Sequence, residues 1–456
     1  MHCTYHNIGF DLNKLMVEEL PWTQAFYREM PKPESEADAE FYSDVKEYFA
    51  FPLEHSSHMP VYNLHLSSCA KIEVTFERAY AMLVEAVGKL FNESNETLMY
   101  YMGCDFLRKH PYFIDYAKFS YRDHGSARQA IYGRFDAAFD PVTEEVTGIY
   151  EFNGDTPTML FESVSFQNQV CETVTGDNEL QLNSFYPLLQ TMIGDMGEIP
   201  GNAAVIHESN SFEDTATSEV IAQILGENNV CLFADVTEID YDFNNKTNPF
   251  HIGENPLTVI FALVPWEEMV AAFPQAYKEW QNWASYTTML EPAWRWFTSN
   301  KGIWAYIWRL LETDAAFAER YGDLPVIPTY VNERKFETDK VSYVKKPRVG
   351  RMSSNVEIFD AQGTTTHVTD GPYKGDDCVY QAYHAPHKVE GRNNFIIGMF
   401  MVPDVASDYN SMRESTAATM CIREFDAPTL SWKNERFIPH VLINDMPEEH
   451  EEEEDE

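Results

Sequence analysis

The sequence predicts a mixed α+β chain with a parallel α/β unit set inside it. Three observations lead there. Residues 10–120 read mainly as helices, residues 131–153 switch to strand character around a turn, and a strand–helix–strand run begins near residue 202. At 456 residues the chain is longer than one small core requires, and two or three lobes are expected.

Each element has its own warrant. "FERAYAMLVEAVGKLF", residues 76–91, repeats apolar side chains at i, i+3 and i+4, the spacing of an amphipathic helix. The turn of the hairpin falls near "DPVTEE". A helix is expected to follow from about Thr156, because Pro157 suits a first helical position. "NAAVIHESN", "SEVIAQILGENN" and "VCLFADVTEI" then read as strand, helix and parallel strand. "LTVIFALVP" adds a strand and "WEEMVAAF" a helix. From about 325 to 440 the chain returns to strands with long loops: "PVIPTYV", "SYVKKPRVGR", "SNVEIFD", "CVYQAYH" and "FIIGMFMV".

Composition excludes several classes. Apolar residues at 44% and aromatics at 14% place the body among globular chains, not disordered ones. The formal charge is −40, and the eight acids of residues 448–456 leave −32 on the rest by subtraction. So acidic a body repels nucleic acid and anionic membrane, and neither is expected as a partner. The run "EEHEEEEDE" reads as a solvated, disordered tail. No basic region followed by an apolar stretch opens the chain, and no apolar stretch is long enough to span a bilayer. Seven scattered cysteines without a CxxC pair suggest reduced thiols, a cytoplasmic location and no zinc site.

The hairpin carries the chemistry. Side chains alternate along a strand, so Arg134 and Asp136 share one face of the first strand, and Glu151 and Asn153 share one face of the second. If those faces coincide, two carboxylates, an amide oxygen and a guanidinium converge. Hard oxygen donors of that kind suit Mg²⁺ shared with a phosphate, and the arginine suits an anion beside it. The competing reading is a set of surface ion pairs on an exposed hairpin face. Three downstream stretches weigh against it. Lys301 sits between an Asn and a Gly in an aromatic stretch. Lys346 opens a Lys-Pro, Gly-Arg loop between strands. "CVYQAYH" offers a strand whose backbone could pair with an adenine edge, and Arg413-Glu414-Ser415 follows. Taken singly, each has an ordinary explanation: a β-turn with a solvated lysine, or a surface pair of Arg413 with Glu414.

The ordered motifs "GRFD", "YEFNGDTPT", "WEE", "EPAW", "SNK", "KPRVGR", "VYQ", "RES" and "FIPH" resemble the synthetase domain of the glutathionylspermidine synthase family, from about residue 10 to 442. The resemblance implies an ATP-grasp fold with a pre-ATP-grasp α/β domain in circularly permuted order. It divides the chain into 1–195 (N-terminal helices and the metal-binding hairpin), 196–290 (pre-ATP-grasp domain), 291–445 (lid and nucleotide-binding part) and the acidic tail 446–456. It implies an ATP-dependent carboxylate–amine ligase working through an acyl phosphate. ATP and two Mg²⁺ ions are the implied cofactors. The acid would be glutathione or a similar peptide, and the amine a polyamine.

Carried over by position, Asp136, Glu151 and Asn153 match the metal ligands. Arg134 matches the arginine on the transferring phosphate, with Phe135 and Asp136 beside it along the nucleotide. Lys301, Lys346, Gly350 and Ser353 match nucleotide-binding positions, and Gln381, Ala382 and Tyr383 match the strand beside adenine. Arg413 matches an arginine near the phosphates. Thr156 and Thr158 match positions against the peptide, and Glu213 and Asp214 an acid pair for the amines.

Three departures qualify the match. The phosphate loop reads Gly350-Arg351-Met352-Ser353-Ser354-Asn355 and has lost a glycine, which narrows its backbone options. The acid pair is Glu-Asp, not Glu-Glu. No amidase segment precedes the match, so no amide hydrolysis is expected. His207, His384 and His387 read as core or surface residues, His440 as orienting a loop, and Trp294, Trp296, Trp304 and Trp308 as helical packing. The alternative is a catalytically inactive binding or structural protein that acts through its surface and acidic tail. The intact set Arg134, Asp136, Glu151, Asn153, Lys301, Lys346 and Arg413 argues against it.

Overall fold

The computed structural model describes residues 1–9, 15, 20–23, 54–122, 128–199, 201–227, 230–373, 375, 377–431 and 434–445. Most of the helical reading before residue 54, and the acidic tail, lie outside these.

The described part opens on strands. β1 (His2–His6) pairs antiparallel with β2 (Met59–His65), which pairs in parallel with β20 (His440–Ile443) in a three-stranded sheet. Helix α1 (Leu66–Asn92) follows. Its buried Ile72, Phe76, Leu83, Val87 and Leu90 fall at the three- and four-residue spacing that makes one apolar stripe. Helices α2 (Asn95–Met102), α3 (Asp105–Lys109) and α4 (Tyr112–Tyr121) complete this layer.

The hairpin strands β3 (Gly133–Asp140) and β4 (Glu145–Asn153) lie in a six-stranded sheet. Its order continues from β3 through β17 (Asn394–Pro403), β18 (Ser415–Phe425) and β19 (Arg436–Ile438), with β16 (His387–Lys388) beside β17. β3 is therefore an inner strand, and α1 packs on one of its faces through Phe76 against Phe135 at 5.5 Å between rings. Burial on both faces explains why its residues read as core apart from the polar set.

After β4 the chain does not turn helical at Thr156. Residues 154–159 form a loop, Met159 takes φ 76°, and a π-helical turn starts at Phe161 before α5 (Gln167–Thr175). This corrects the helix start expected at Pro157. Asn153 accounts for it, because its side chain bonds both the N–H and the C=O of Thr156 and holds them in a local turn. Helix α6 (Phe185–Asp195) then covers the far face of the six-stranded sheet.

The α/β unit follows as read. β5 (Asn202–His207) and β6 (Cys231–Asp235) run parallel around α7 (Phe212–Gly226), and β9 (Asn255–Ala262) pairs in parallel on the other side of β5. β7 (Ile239–Tyr241) and β8 (Phe250–Ile252) extend the sheet antiparallel, and β10 (Thr288–Leu290) pairs with β9. Helix α8 (Trp266–Ala272) follows β9. A 3-10 turn (Ala293–Arg295) and α9 (Trp296–Ser299) lead to α10 (Gly302–Thr313). Trp294, Trp296 and Trp304 are buried in this stretch. An antiparallel sheet ordered β11 (Thr329–Tyr330), β15 (Cys378–Ala382), β12 (Tyr343–Pro347), β13 (Glu357–Phe359) and β14 (Thr365–Val368) completes the chain.

Candidate active site

Register brings the hairpin's polar groups together. Arg134 lies opposite Asn153 and Asp136 opposite Glu151, so all four share one face of the β3–β4 pair. Asp136 Oδ1 accepts from Arg134 Nε at 2.8 Å and lies 2.6 Å from Arg423 Nη2 on β18. Burial resists the ionisation of Asp136, but the Arg134 and Arg423 guanidiniums together outweigh it and hold the carboxyl at about 2. Arg134 Nη1 also donates to the Thr158 carbonyl at 2.7 Å. Gly398 faces Asp136 from the adjacent strand. A Cβ there would come within 2.9 Å of Arg134 Cδ and 3.3 Å of Asp136 Oδ1, so the missing side chain leaves room for the pair to lie down.

Two lysines close the other side. Glu151 Oε2 lies 3.4 Å from Lys301 Nζ and 3.7 Å from Lys346 Nζ. Burial opposes a charged Glu151, yet the two ammoniums prevail and lower its carboxyl below the usual range. Lys346 goes the other way. Burial pushes it down to about 8, and Glu151 only partly offsets this. The two directions agree once burial is taken as the larger effect on Lys346. Lys346 Nζ donates to Gln381 Oε1 at 3.0 Å, and Lys301 Nζ to the Gly350 carbonyl at 2.7 Å.

The loop from Gly350 to Asn355 departs from glycine-rich geometry. Met352, Ser353 and Asn355 have φ of 53°, 51° and 56°, the left-handed region where a side chain costs energy. Arg351 reaches from this loop to Glu267 on α8, to Asp155 at 3.3 Å and to Thr156 Oγ1 at 3.3 Å.

An acidic wall lies beyond. Thr158 Oγ1 donates to Glu213 Oε1 at 2.5 Å. Burial and then Glu435 raise Glu213, while burial and then Glu213 push Asp214 up to about 7. Both acids sit in the first turn of α7, capped by Ser211. The whole surrounds one cavity of about 440 Å³.

Of the residues singled out from sequence, Arg134, Asp136, Glu151, Asn153, Thr156, Thr158, Glu213, Asp214, Lys301, Lys346, Gly350, Ser353, Gln381, Ala382 and Tyr383 line this cavity. Two do not. Phe135 points to the opposite face of β3 by strand alternation and packs on Phe76 and Phe152. Arg413 lies at the end of a 3-10 turn, where Nη1 donates to Glu85 of α1 at 2.8 Å and the guanidinium stacks on Tyr409. The arginine that this part of the chain does bring to the cavity is Arg423, beside Asp136. An arginine inside the apolar strand "TAATMCIREF" was its sequence signal, the same signal that flagged the hairpin. β15 is an inner strand, and the Ala382 and Tyr383 amides already donate to the Pro328 and Ser342 carbonyls, so those two donors are taken.

The ordinary histidine readings find simple contacts. His207 stacks on Phe233, and burial pushes it down to about 4. Buried His440 accepts from the Leu182 amide through Nε2, and burial lowers it to about 3. His384 and His387 share the Thr147 hydroxyl, and His384 lines the cavity.

Among the described residues no group of three His, Cys, Asp or Glu side chains is placed to hold a metal by itself. Asp136, Glu151 and the Asn153 amide oxygen still offer a hard-oxygen set. Asn153 Oδ1 accepts from the Thr156 amide at 3.2 Å and keeps a second lone pair. Such a set suits Mg²⁺ bound together with substrate phosphates.

Comparison with known proteins gives a consistent picture. The family description "Glutathionylspermidine synthase preATP-grasp" matches residues 41–442. A Haemophilus influenzae protein provisionally named an acid–amine ligase is 25% identical over 69% of this chain and 75% of its own. The trypanothione synthetase of Crithidia fasciculata is 25% identical over 61% of this chain, which spans 44% of that longer protein. A solved glutathione synthetase-like effector from Globodera pallida, in its apo form, shares the fold with a TM-score of 0.51, 11% identity and coverage of 90% of this chain and 98% of that one. The chain belongs to the glutathionylspermidine synthase preATP-grasp family.

Proposed function

From that membership we propose that the chain is an ATP-dependent carboxylate–amine ligase. The observation that carries the reading is a single cavity lined by two carboxylates opposite each other on β3 and β4, by Arg134, Arg351 and Arg423, and by Lys301 and Lys346, inside a chain of net charge −40. Cations gathered in an acidic protein point to an anionic ligand. Phosphoryl transfer asks little covalent help from the protein; it asks for alignment and charge neutralisation.

Lys301 and Lys346 bind the nucleotide phosphates, with Gly350 and Ser353 beside them, and Gln381, Ala382 and Tyr383 flank the base. Asp136, Glu151 and Asn153 would hold Mg²⁺, two ions as in the family's reaction. The metal supplies charge neutralisation at the phosphates. Arg134 and Arg423 face the transferring phosphoryl group. A substrate carboxylate oxygen bonds to the γ-phosphorus and ADP leaves. The amine nitrogen then bonds to the acyl carbon, phosphate leaves, and the amine's proton passes to a carboxylate of the acidic wall. Asp214, at about 7, is suited to hold it.

Thr156 and Thr158 take the acid substrate, of the glutathione or similar peptide class. Glu213 and Asp214 take a cationic amine of the polyamine class. Hairpin-first order places the metal ligands ahead of the α/β unit, a circular permutation, with parts at 1–195, 196–290 and 291–445. The working location is the cytoplasm. Among the described residues no helix is long and apolar enough to cross a membrane.

Calorimetric titration of an ATP analogue with Mg²⁺ into the chain, beside a double variant Asp136→Ala plus Glu151→Ala, tests the reading. Micromolar binding that the double variant loses supports it. A folded wild-type chain without binding sinks it and favours an inactive scaffold.

A further inference from the structure

Glu291 opens the "EPAW" motif, Arg295 follows it, and neither lines the cavity. Both are buried; Arg295 has no exposed surface. Burying an arginine costs energy unless its donors are used. Arg295 Nη2 donates to the Tyr132 carbonyl at 2.7 Å, Nε to the Gly154 carbonyl at 3.0 Å, and Nη1 to Tyr80 Oη at 2.9 Å. Tyr132 lies just before β3, and Gly154 just after β4. Glu291 Oε1 accepts the Ile131 and Tyr132 amides at 2.9 and 3.0 Å, and Oε2 lies 3.1 Å from Arg295 Nε.

One ion pair thus grips both ends of the hairpin at its base. The same segment continues to the nucleotide side. Ser299 Oγ accepts the Gly154 amide at 2.8 Å and donates to Asp155 Oδ1 at 2.7 Å, and Lys301 follows two residues later. The grip also needs bare backbone. A Cβ at Gly133 would run into Arg295 Nη2 and Phe152, and one at Gly154 into Thr298 Oγ1. Phe152, Tyr80 and Trp294 rings surround the guanidinium at 5.0, 5.5 and 5.3 Å.

We propose that Glu291 and Arg295 are positioning residues that lock the carboxylate-bearing hairpin to the lysine-bearing segment 299–301, fixing Asp136 and Glu151 relative to Lys301. The inference rests on the ligase reading. The pair holds backbone at the two ends of the hairpin and reaches Asp136 and Glu151 only through the strands that carry them.

Arg295→Lys keeps the charge and loses the fork that reaches two carbonyls. Burial raises the Glu291 carboxyl to about 7 against the pull of Arg295, so the titrations are run at pH 8, where Glu291→Gln, isosteric and still an acceptor for both amides, removes a charge. Each full-length variant is titrated with an ATP analogue without metal, then with Mn²⁺ at saturating analogue, and its melting temperature is recorded. The expected result is unchanged analogue affinity without metal and Mn²⁺ affinity weaker by about 10- to 100-fold in both variants. If Arg295→Lys fails to fold, Glu291→Gln decides. Wild-type Mn²⁺ affinity in the folded variants overturns the proposal alone. So does a parallel fall of analogue affinity, Mn²⁺ affinity and melting temperature, which marks bulk support. A folded wild-type chain that binds neither probe overturns the ligase reading and the positioning role together.

Discussion

Residues 133–153 and residues 347–355 line one cavity but hold their charges by different means. In the first, Arg134 and Asp136 sit on an inner strand, 6% and 8% exposed, with pairing partners on both sides. In the second, three residues without glycine's freedom occupy left-handed backbone. The loop is held by Lys301 on the Gly350 carbonyl, by Arg351 on Asp155 and Glu267, and by the Tyr373 amide on Asn355. The first set of charges is fixed by strand pairing on both sides; the second is fixed by side-chain contacts from other elements to the loop.

The largest expected effect breaks the rigid half. Asp136→Asn leaves the Arg134 and Arg423 guanidiniums buried without their shared counter-charge. It should cost about 3–5 kcal/mol in chemical denaturation, the scale for breaking a buried pair. Binding of Mg²⁺ with the nucleotide should disappear in calorimetry. A variant as stable as wild type would show that the buried charges relax or that water reaches them.

Next come two arginines ten residues apart. Arg423→Met should lower ADP release with a competent acid and amine by about 10²–10³-fold, as for losing a donor to developing charge. Arg413→Met should leave turnover intact and cost about 1–2 kcal/mol of stability, because Glu85 keeps Arg320 and Tyr321 as partners. Equal turnover losses would put Arg413 back in the site.

A pH titration sharpens the comparison at Lys346. Its folded value, about 8, lies below its unfolded one, so the folded chain sheds this proton first. Stability from this group is at its minimum below about 8 and rises with pH from there to the unfolded value. Nucleotide affinity should move oppositely, falling by up to about tenfold per pH unit above 8 as the ammonium is lost. Lys346→Arg should flatten that slope in calorimetry between pH 7 and about 9.5. A slope shared by both proteins would assign the titration elsewhere.

The smallest effect relaxes the loop. Ser353→Gly removes a side chain from φ 51° and should add about 1 kcal/mol, read as a raised melting temperature with nucleotide affinity kept or improved. A loss of stability would mean that the Ser353 side chain supports the turn.

Much of this site was legible one residue at a time. Alternation alone set Arg134 with Asp136 and Glu151 with Asn153, because a strand repeats every two residues. The α/β unit was readable from strand–helix–strand spacing, and α1 from its stripe. The start of the helix after the hairpin was not readable, because Asn153 bonds to Thr156 and overrides the preference of Pro157.

What the sequence by itself determined was therefore local: periodicity, faces and the types of donor in each motif. Tertiary structure alone decided which faces meet. It set Asp136 against Glu151 through register, and it put Arg423 beside Asp136 while sending Arg413 to Glu85. It also closed β15 on both edges and threaded Arg295 between the two ends of the hairpin. Those outcomes depend on pairings across hundreds of residues, where burial and charge pairing select among arrangements that local sequence leaves equal.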